Sequence, residues 1–116
     1  MPYVSLGPSG DNPLSLAVVS SSATGLTAVV AGVAGQVTAV YKLFLASGGT
    51  TNLSFQDGST ALSGAIPLVV NGSITLDLDG TPWFVTSPGN AFNINNSAGA
   101  VQISGAVYYR QTKYSV

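Results

Sequence analysis

The apolar positions of this chain fall in short runs separated by glycine, a pattern typical of strands and turns. The longest run, Val37–Ser47, is rich in β-branched and aromatic residues and lies between Gly35 and the pair Gly48–Gly49. These features favour a buried central strand over a helix. Alternation predicts one face with Val37, Ala39, Tyr41, Leu43 and Leu45, and another with Thr38, Val40, Lys42, Phe44 and Ala46. Both faces are largely apolar, so we expect loops, the amino-terminal arm or another subunit to cover the one that points away from the core.

Shorter apolar runs lie on both sides of the central strand. Leu14–Val19 alternates at Leu14, Leu16 and Val18 and predicts a first strand. Leu26–Val33 predicts a second strand, in which Gly32 indicates a bulge or a bend. After Gly49, glycine recurs every six to ten residues, as in sandwiches and barrels. The strands predicted there are Asn52–Gln56, Ala61–Ile66, Ser73–Leu78, Trp83–Thr86, Ala91–Asn95 and Val101–Gln111.

The predicted fold is all-β, an antiparallel β-sandwich of jelly-roll type with about nine short strands and no helix. Asp57-Gly58, Asn71-Gly72 and Asp79-Gly80 are predicted hairpin turns, because Asn or Asp before Gly tolerates positive φ. An immunoglobulin-like sandwich is the alternative, but the chain lacks the Cys-Trp-Cys spacing of that fold.

The 116 residues predict one sandwich domain, residues 23–116, preceded by an extended arm with the first short strand, residues 1–22. Three prolines and two glycines within residues 1–13 indicate the arm. A frayed terminus is the alternative interpretation of this segment.

The composition predicts an unusual surface. Apolar residues make up 46% of the chain and charged residues only 6%, whereas about 25% charged residues is usual. Serine, threonine, asparagine and glycine must therefore provide most of the contact with solvent. A net charge of -1 gives almost no repulsion between copies. We therefore expect an oligomer or a subunit of a larger assembly.

The charge pattern argues against several classes of partner. Lys42, Arg110 and Lys113 are the only cations, so no basic stripe is present to bind nucleic acid or an anionic membrane. The stretch Gly25–Gly49 is long enough to span a membrane, but its internal glycines and polar residues favour two strands joined by a turn. The first twenty residues lack a basic leader followed by an apolar core, so we expect no secretory signal.

The chain has no histidine and no cysteine, which removes the usual general base, the thiol nucleophile and most transition-metal ligands. No local motif places a serine against a lysine. We therefore expect no enzyme activity, no cofactor and no metal. Asp77 and Asp79 are expected to project outward on one side of a strand whose Ile74, Leu76 and Leu78 point inward. With Asp57 the pair would supply part of a calcium site, and as an acid and base it would suit a glycosidase, but a solvated strand edge is the simpler interpretation.

The aromatic residues allow two interpretations. Trp83 follows Thr81-Pro82 at the start of a predicted strand, and the tyrosines at positions 41, 108, 109 and 114 are close to predicted strands or within them. Such residues can stack on sugar rings, but aromatic side chains in strands more often pack in a core or an interface.

Five segments of the chain together resemble small structural proteins of tailed bacteriophages. They share a long apolar strand, a Phe-x-x-Gly turn, a Leu-Ser-Gly-x-Ile-Pro-Leu segment, an aromatic-Phe-x-Thr-x-x-Gly segment and a closing Gly-x-Val-x-Tyr strand, in this order. In this chain the segments are Val37–Leu45, Leu53–Gly58, Leu62–Leu68, Trp83–Phe92 and Gly105–Tyr109. The resemblance covers about residues 25 to 110 and leaves out the arm.

The resemblance implies a jelly-roll-like subunit that forms homotrimers on the virion, as a head decoration (cement) protein or as part of a head or tail fibre. We expect a non-enzymatic decoration protein on the outer surface of the capsid that binds the major capsid protein. The expected trimer contacts are Tyr41, Phe44 and Tyr109. The expected capsid contacts are in the segment 1–11, with Met1, Pro2, Tyr3 and Asp11. The alternative is a fibre module that binds host-surface carbohydrate through Trp83 and neighbouring tyrosines.

Overall fold

A computed structural model describes residues 14–113 of the chain, and all the regular structure in this range is β-strand. The ten strands are β1 Ser15–Ser21, β2 Gly25–Val30, β3 Gln36–Ser47, β4 Thr51–Asp57, β5 Thr60–Ala61, β6 Ile66–Leu68, β7 Ser73–Leu76, β8 Phe84–Val85, β9 Phe92–Asn96 and β10 Ile103–Lys113. The predicted central strand is β3, the longest of the ten.

The strands form two antiparallel five-stranded sheets packed as a sandwich. In sheet A the order is β1-β10-β3-β7, and β8 pairs with β3 on the same edge as β7. In sheet B the order is β2-β9-β4-β5, and β6 also pairs with β4. The pairing is nested, because the first strand pairs with the last and the second with the last but one. This arrangement is a jelly roll, as the sequence predicts.

The core lies between the two sheets. Its fully buried large side chains include Val40, Leu43, Leu45, Leu53, Phe55, Phe92, Ile94, Ile103 and Val107. Phe84 of sheet A packs against Phe55 and Phe92 of sheet B, with ring centroids 5.1 Å and 5.9 Å apart. This aromatic cluster joins the two layers.

One predicted strand, Ala61–Ile66, is wrong. In the structure β5 ends at Ala61 and β6 begins at Ile66, with a bend at Leu62 and Ser63 between them. The backbone N–H groups of Leu62 and Ser63 both donate to the carbonyl oxygen of Phe55. Two consecutive residues therefore face one partner residue, which interrupts regular pairing with β4, and the chain rejoins that strand only at Ile66.

Only one of the three predicted hairpin turns joins two paired strands. Gly58 and Ser59 connect β4 to β5 with φ of 60° at Gly58, so the Asp57-Gly58 prediction is confirmed. The other two predictions are wrong. Asn71-Gly72 turns the chain from sheet B to sheet A, and Asp79-Gly80 leads from β7 to β8, which both pair with β3 and not with each other. Asn71-Gly72 does form a turn and the chain bends at Gly80, but the tertiary pairing decides which strands these segments connect.

A bulge in β3 changes the faces predicted for the central strand. Tyr108 pairs with Lys42 and Tyr109 with Val40, so Tyr41 is an extra residue on β3. The inward side chains are Thr38 and Val40 before the bulge and Leu43, Leu45 and Ser47 after it. Neither predicted face is therefore correct along its whole length, because the bulge at Tyr41 shifts the alternation by one residue.

The segment Gly25–Gly49 forms two strands and the turn between them, as predicted, and the two strands belong to opposite sheets. The irregularity expected at Gly32 lies instead in β2, between Ala28 and Val30. Among residues 14–113 there is no helix long and apolar enough to cross a membrane. The predicted capsid contacts Met1, Pro2, Tyr3 and Asp11 lie outside the described residues, as does Tyr114.

Candidate interaction surface

The outward faces of the two sheets differ in chemistry. The outward side chains of β4 and β9 in sheet B are amides and hydroxyls: Asn52, Ser54, Gln56, Asn93 and Asn95. Ser54 pairs with Asn95 and Gln56 with Asn93, so these groups form one continuous polar surface. Part of this surface is satisfied within the chain, because Gln56 Nε2 donates to Ser54 Oγ and Asn93 Nδ2 donates to the carbonyl oxygen of Gly58.

The outer face of sheet A, in contrast, carries exposed apolar side chains. Inward-facing Ala17 and Val19 in β1 leave Leu16 and Val18 pointing outward, 54% and 74% exposed. Phe44 of β3 is 46% exposed and shares a row with Val18, because Ala106 of β10 pairs with both residues. The three side chains therefore form a patch on β1 and β3, with Ala106 of β10 between the two strands. Contiguous exposed apolar surface of this kind marks interaction sites on proteins.

Two cations lie on the same face, each held against a tyrosine. Next to the row of Val18, Ala106 and Phe44, the residues Leu16, Tyr108 and Lys42 lie side by side on neighbouring strands. The Lys42 ammonium lies 5.5 Å from the centre of the Tyr108 ring, within cation–π range.

Arg110 makes the second cation–tyrosine contact. Its guanidinium lies 5.3 Å from the centre of the Tyr41 ring, and its Nη2 donates to Tyr41 Oη at 2.8 Å. Its Nε is buried and has no hydrogen-bond partner among the described residues. The outer face of sheet A therefore combines the apolar patch with two positive charges.

Trp83 lies at the β8 edge of this face. Its backbone N–H donates to the carbonyl oxygen of Val40 at 2.7 Å, which places Trp83 beside the bulge at Tyr41. Its neighbour Phe84 points into the core, so the indole of Trp83 points outward and is 46% exposed. The indole Nε1 donates to the carbonyl oxygen of Asp77 at 2.7 Å, which holds the ring in one orientation.

The three described aspartates are not brought together. Asp77 and Asp79 are exposed, as predicted, but they lie in the loop after β7 and not on the strand, which ends at Leu76. The predicted inward orientation of Leu78 is wrong, because Leu78 is exposed in the same loop. Asp57 is buried at the end of β4, and its carboxylate accepts hydrogen bonds from Ser87 and Asn90. No group of three His, Cys, Asp or Glu residues that would suit a metal ion occurs between residues 14 and 113.

The residues predicted for the trimer contact occupy three different environments. Phe44 is exposed on the outer face of sheet A, Tyr41 is buried on the same face beneath Arg110, and Tyr109 packs against the core. Whether they form an interface stays a prediction. Sequence reasoning missed Leu16 and Val18, because both alternating sets of β1 are apolar and the pattern does not show which set points inward.

The outer face of sheet A is thus the candidate interaction surface. No pocket is present in the part of the chain that the structure describes. In comparisons with known proteins, the sequence matches no protein-family model, and no curated protein matches it.

Proposed function

We propose that this protein is a non-enzymatic structural subunit that acts by burying the outer face of sheet A against copies of itself and a larger scaffold. In its specific form, the proposal is a decoration protein on the outer surface of a bacteriophage capsid, a homotrimer that binds the major capsid protein. The five segments that resemble phage structural proteins support the phage context. The patch of Leu16, Val18 and Phe44 is the observation that carries the proposal.

Burial of apolar surface would supply the free energy of this assembly. Complete burial of a large apolar side chain stabilises an assembly by about 1.5 to 3 kcal/mol relative to exposure. The net charge of -1 opposes assembly very little. Three weak contacts on one scaffold add through effective concentration, so a trimer would bind a capsid far more tightly than one subunit.

The first experiment changes Phe44 to lysine. The new charge would have to be desolvated in the interface, so we expect the trimer dissociation constant to rise by about tenfold or more. Size-exclusion chromatography with light scattering over a concentration series measures the oligomeric state. Val70→Lys is the control, since Val70 is 59% exposed in the connection between β6 and β7. A monomeric wild type, or a Phe44→Lys variant that assembles like wild type, would contradict the proposed use of this face.

The capsid part of the proposal requires a separate experiment. Antibody labelling of purified virions, followed by electron microscopy, is expected to place the chain on the outer head surface. Label confined to fibres would favour a fibre module that binds carbohydrate, and unlabelled virions would remove the phage context altogether.

The second candidate is carbohydrate binding, which the exposed and oriented indole of Trp83 favours. An aromatic ring held in one orientation beside polar groups is suited to stacking on sugars. On a glycan array this function predicts a signal that Trp83→Ala abolishes and Phe44→Lys preserves. A decoration protein is expected to give no glycan signal. An array that is blank for the wild type therefore removes this candidate.

A further inference from the structure

β1 is an edge strand of sheet A, and in the described range it is paired on one side only. Along all seven residues, Ser15–Ser21, it pairs with β10 in regular antiparallel register. Within the described range no strand pairs with its other side. The backbone N–H and C=O groups on that side form a row that can pair with another extended chain.

The other sheet edges carry features that discourage pairing, and β1 carries none. The far edge of sheet A is divided between β7, with four residues, and β8, with two. The far edge of sheet B is divided between β5, with two residues, and β6, with three, and Pro67 lies in β6. The edge strand β2 has a bulge between Ala28 and Val30. β1 has no charge, no proline and no bulge, and it is the longest of these edge strands.

We propose that β1 pairs with β1 of a second copy, antiparallel, about a two-fold axis through Val18. In this register Ser15 lies opposite Ser21 of the second copy, Leu16 opposite Ser20, Ala17 opposite Val19, and Val18 opposite Val18. This register pairs all seven residues of β1, whereas a shift of the register in either direction pairs fewer of them. It also preserves the pleat, since inward residues meet inward residues and outward residues meet outward ones.

A second copy fits this edge better than a charged partner does. β1 is neutral, so no like charges meet across the axis. Lys42 is two strands away from β1 in each copy, so five inter-strand spacings, about 24 Å, separate the two β3 strands that carry it. The contact is isologous and closes on itself, unlike a head-to-tail contact.

The contact is small. A seven-residue strand is about 23 Å long, and pairing of this size falls at the low end of specific interfaces. We therefore expect a weak association, best observed at high protein concentration or by trapping. It differs from the proposed three-fold contact in the groups that it uses, because it is made by the backbone edge of β1, whereas the three-fold contact buries outward side chains of sheet A.

Single cysteines test the pairing, because the chain has no cysteine of its own. Opposite residues of an antiparallel pair have Cα atoms about 4.5 to 5.5 Å apart, within disulfide range. Under mild oxidation Val18→Cys is expected to form covalent dimers at least about tenfold faster than Val70→Cys, since pairing raises the effective concentration. Val70 is a matched control, being a valine that is 59% exposed outside any strand.

The register gives a second, sharper readout. Leu16→Cys alone is expected to crosslink no faster than Val70→Cys, because its partner position holds Ser20. A mixture of Leu16→Cys and Ser20→Cys is expected to give the mixed dimer at the rate of Val18→Cys. Equal rates for Val18→Cys and Val70→Cys would overturn the pairing, whether β1 is then left uncovered or covered by residues 1–13. Rapid crosslinking of Leu16→Cys alone would overturn the register.

The two proposals fail separately. Phe44→Lys is expected to leave the crosslinking of Val18→Cys unchanged, because Phe44 lies two strands away from the edge. A wild-type trimer without crosslinking at position 18 would overturn the edge pairing and support the three-fold contact. Crosslinking at position 18 in a protein that never forms trimers would support the edge pairing and overturn the three-fold contact.

Discussion

Replacing Gly105 with alanine is expected to lower the free energy of unfolding by about 3 kcal/mol or more, or to prevent folding. Gly105 lies in β10, opposite Leu45 of β3. A Cβ atom there would overlap the carbonyl oxygen of Phe44 and lie 2.9 Å from the Cα of Leu45. Both atoms belong to the backbone of the central strand, so no side-chain rotation can make room. β10 and β3 would have to separate at the middle of sheet A.

Urea unfolding followed by far-ultraviolet circular dichroism measures this effect. Gly64→Ala is the matched control, because a Cβ atom at Gly64 meets no heavy atom within 4 Å. We expect that control to change the free energy of unfolding by about 0.5 kcal/mol or less. If Gly105→Ala unfolded at the same urea concentration as wild type, the close approach of β10 to β3 would be wrong.

Replacing Asp57 with alanine is expected to cost about 3 kcal/mol, the second largest effect. Asp57 is 8% exposed at the end of β4 in sheet B. Its carboxylate accepts hydrogen bonds from the backbone N–H and the hydroxyl of Ser87, at 3.0 and 2.9 Å, and from the amide of Asn90 at 3.0 Å. Ser87 follows β8 of sheet A, so the hydrogen bonds between Ser87 and the Asp57 carboxylate connect the two sheets. Alanine would leave all three donors without their acceptor.

Asp57→Asn separates the hydrogen bonds from the shape of the side chain. Its amide oxygen can still accept from Ser87, but its NH₂ group would face the NH₂ group of Asn90 unless Asn90 rotates. We therefore expect a smaller loss, about 1 kcal/mol. Asp79→Ala, at an exposed position, is the negative control. Chemical unfolding of the three variants gives the comparison, and a loss for Asp57→Ala no larger than for Asp79→Ala would contradict this role.

Asp57 lies in sheet B, so its substitutions leave the outer face of sheet A unchanged. The Asp57 variants therefore serve as stability references for the interaction experiments. A folded Asp57→Asn protein that assembles like wild type would show that assembly depends on the face and not on the overall free energy of unfolding.

The candidate surface was only partly predictable. Two apolar faces on the central strand indicate that one of them needs a cover, and the structure places exposed Phe44 on the outer face. The sequence does not show that Leu16 and Val18 lie on the same outer face as Phe44. The odd-numbered and the even-numbered residues of β1 both include apolar side chains, so the pattern does not identify the inward face. Nor does it show that Tyr41 is covered by Arg110, a contact between residues 69 positions apart.

Composition and glycine spacing by themselves determined the fold class, the position of most strands and the location of the turns. Local backbone preference and strand-length apolar runs are sufficient for these features, since they depend on neighbours in sequence. Only the tertiary structure decided which strands Asn71-Gly72 and Asp79-Gly80 connect, where β3 bulges, and which sheet presents an apolar face to solvent. These features depend on pairing between distant strands, and a one-residue shift at Tyr41 changes which side chains point outward.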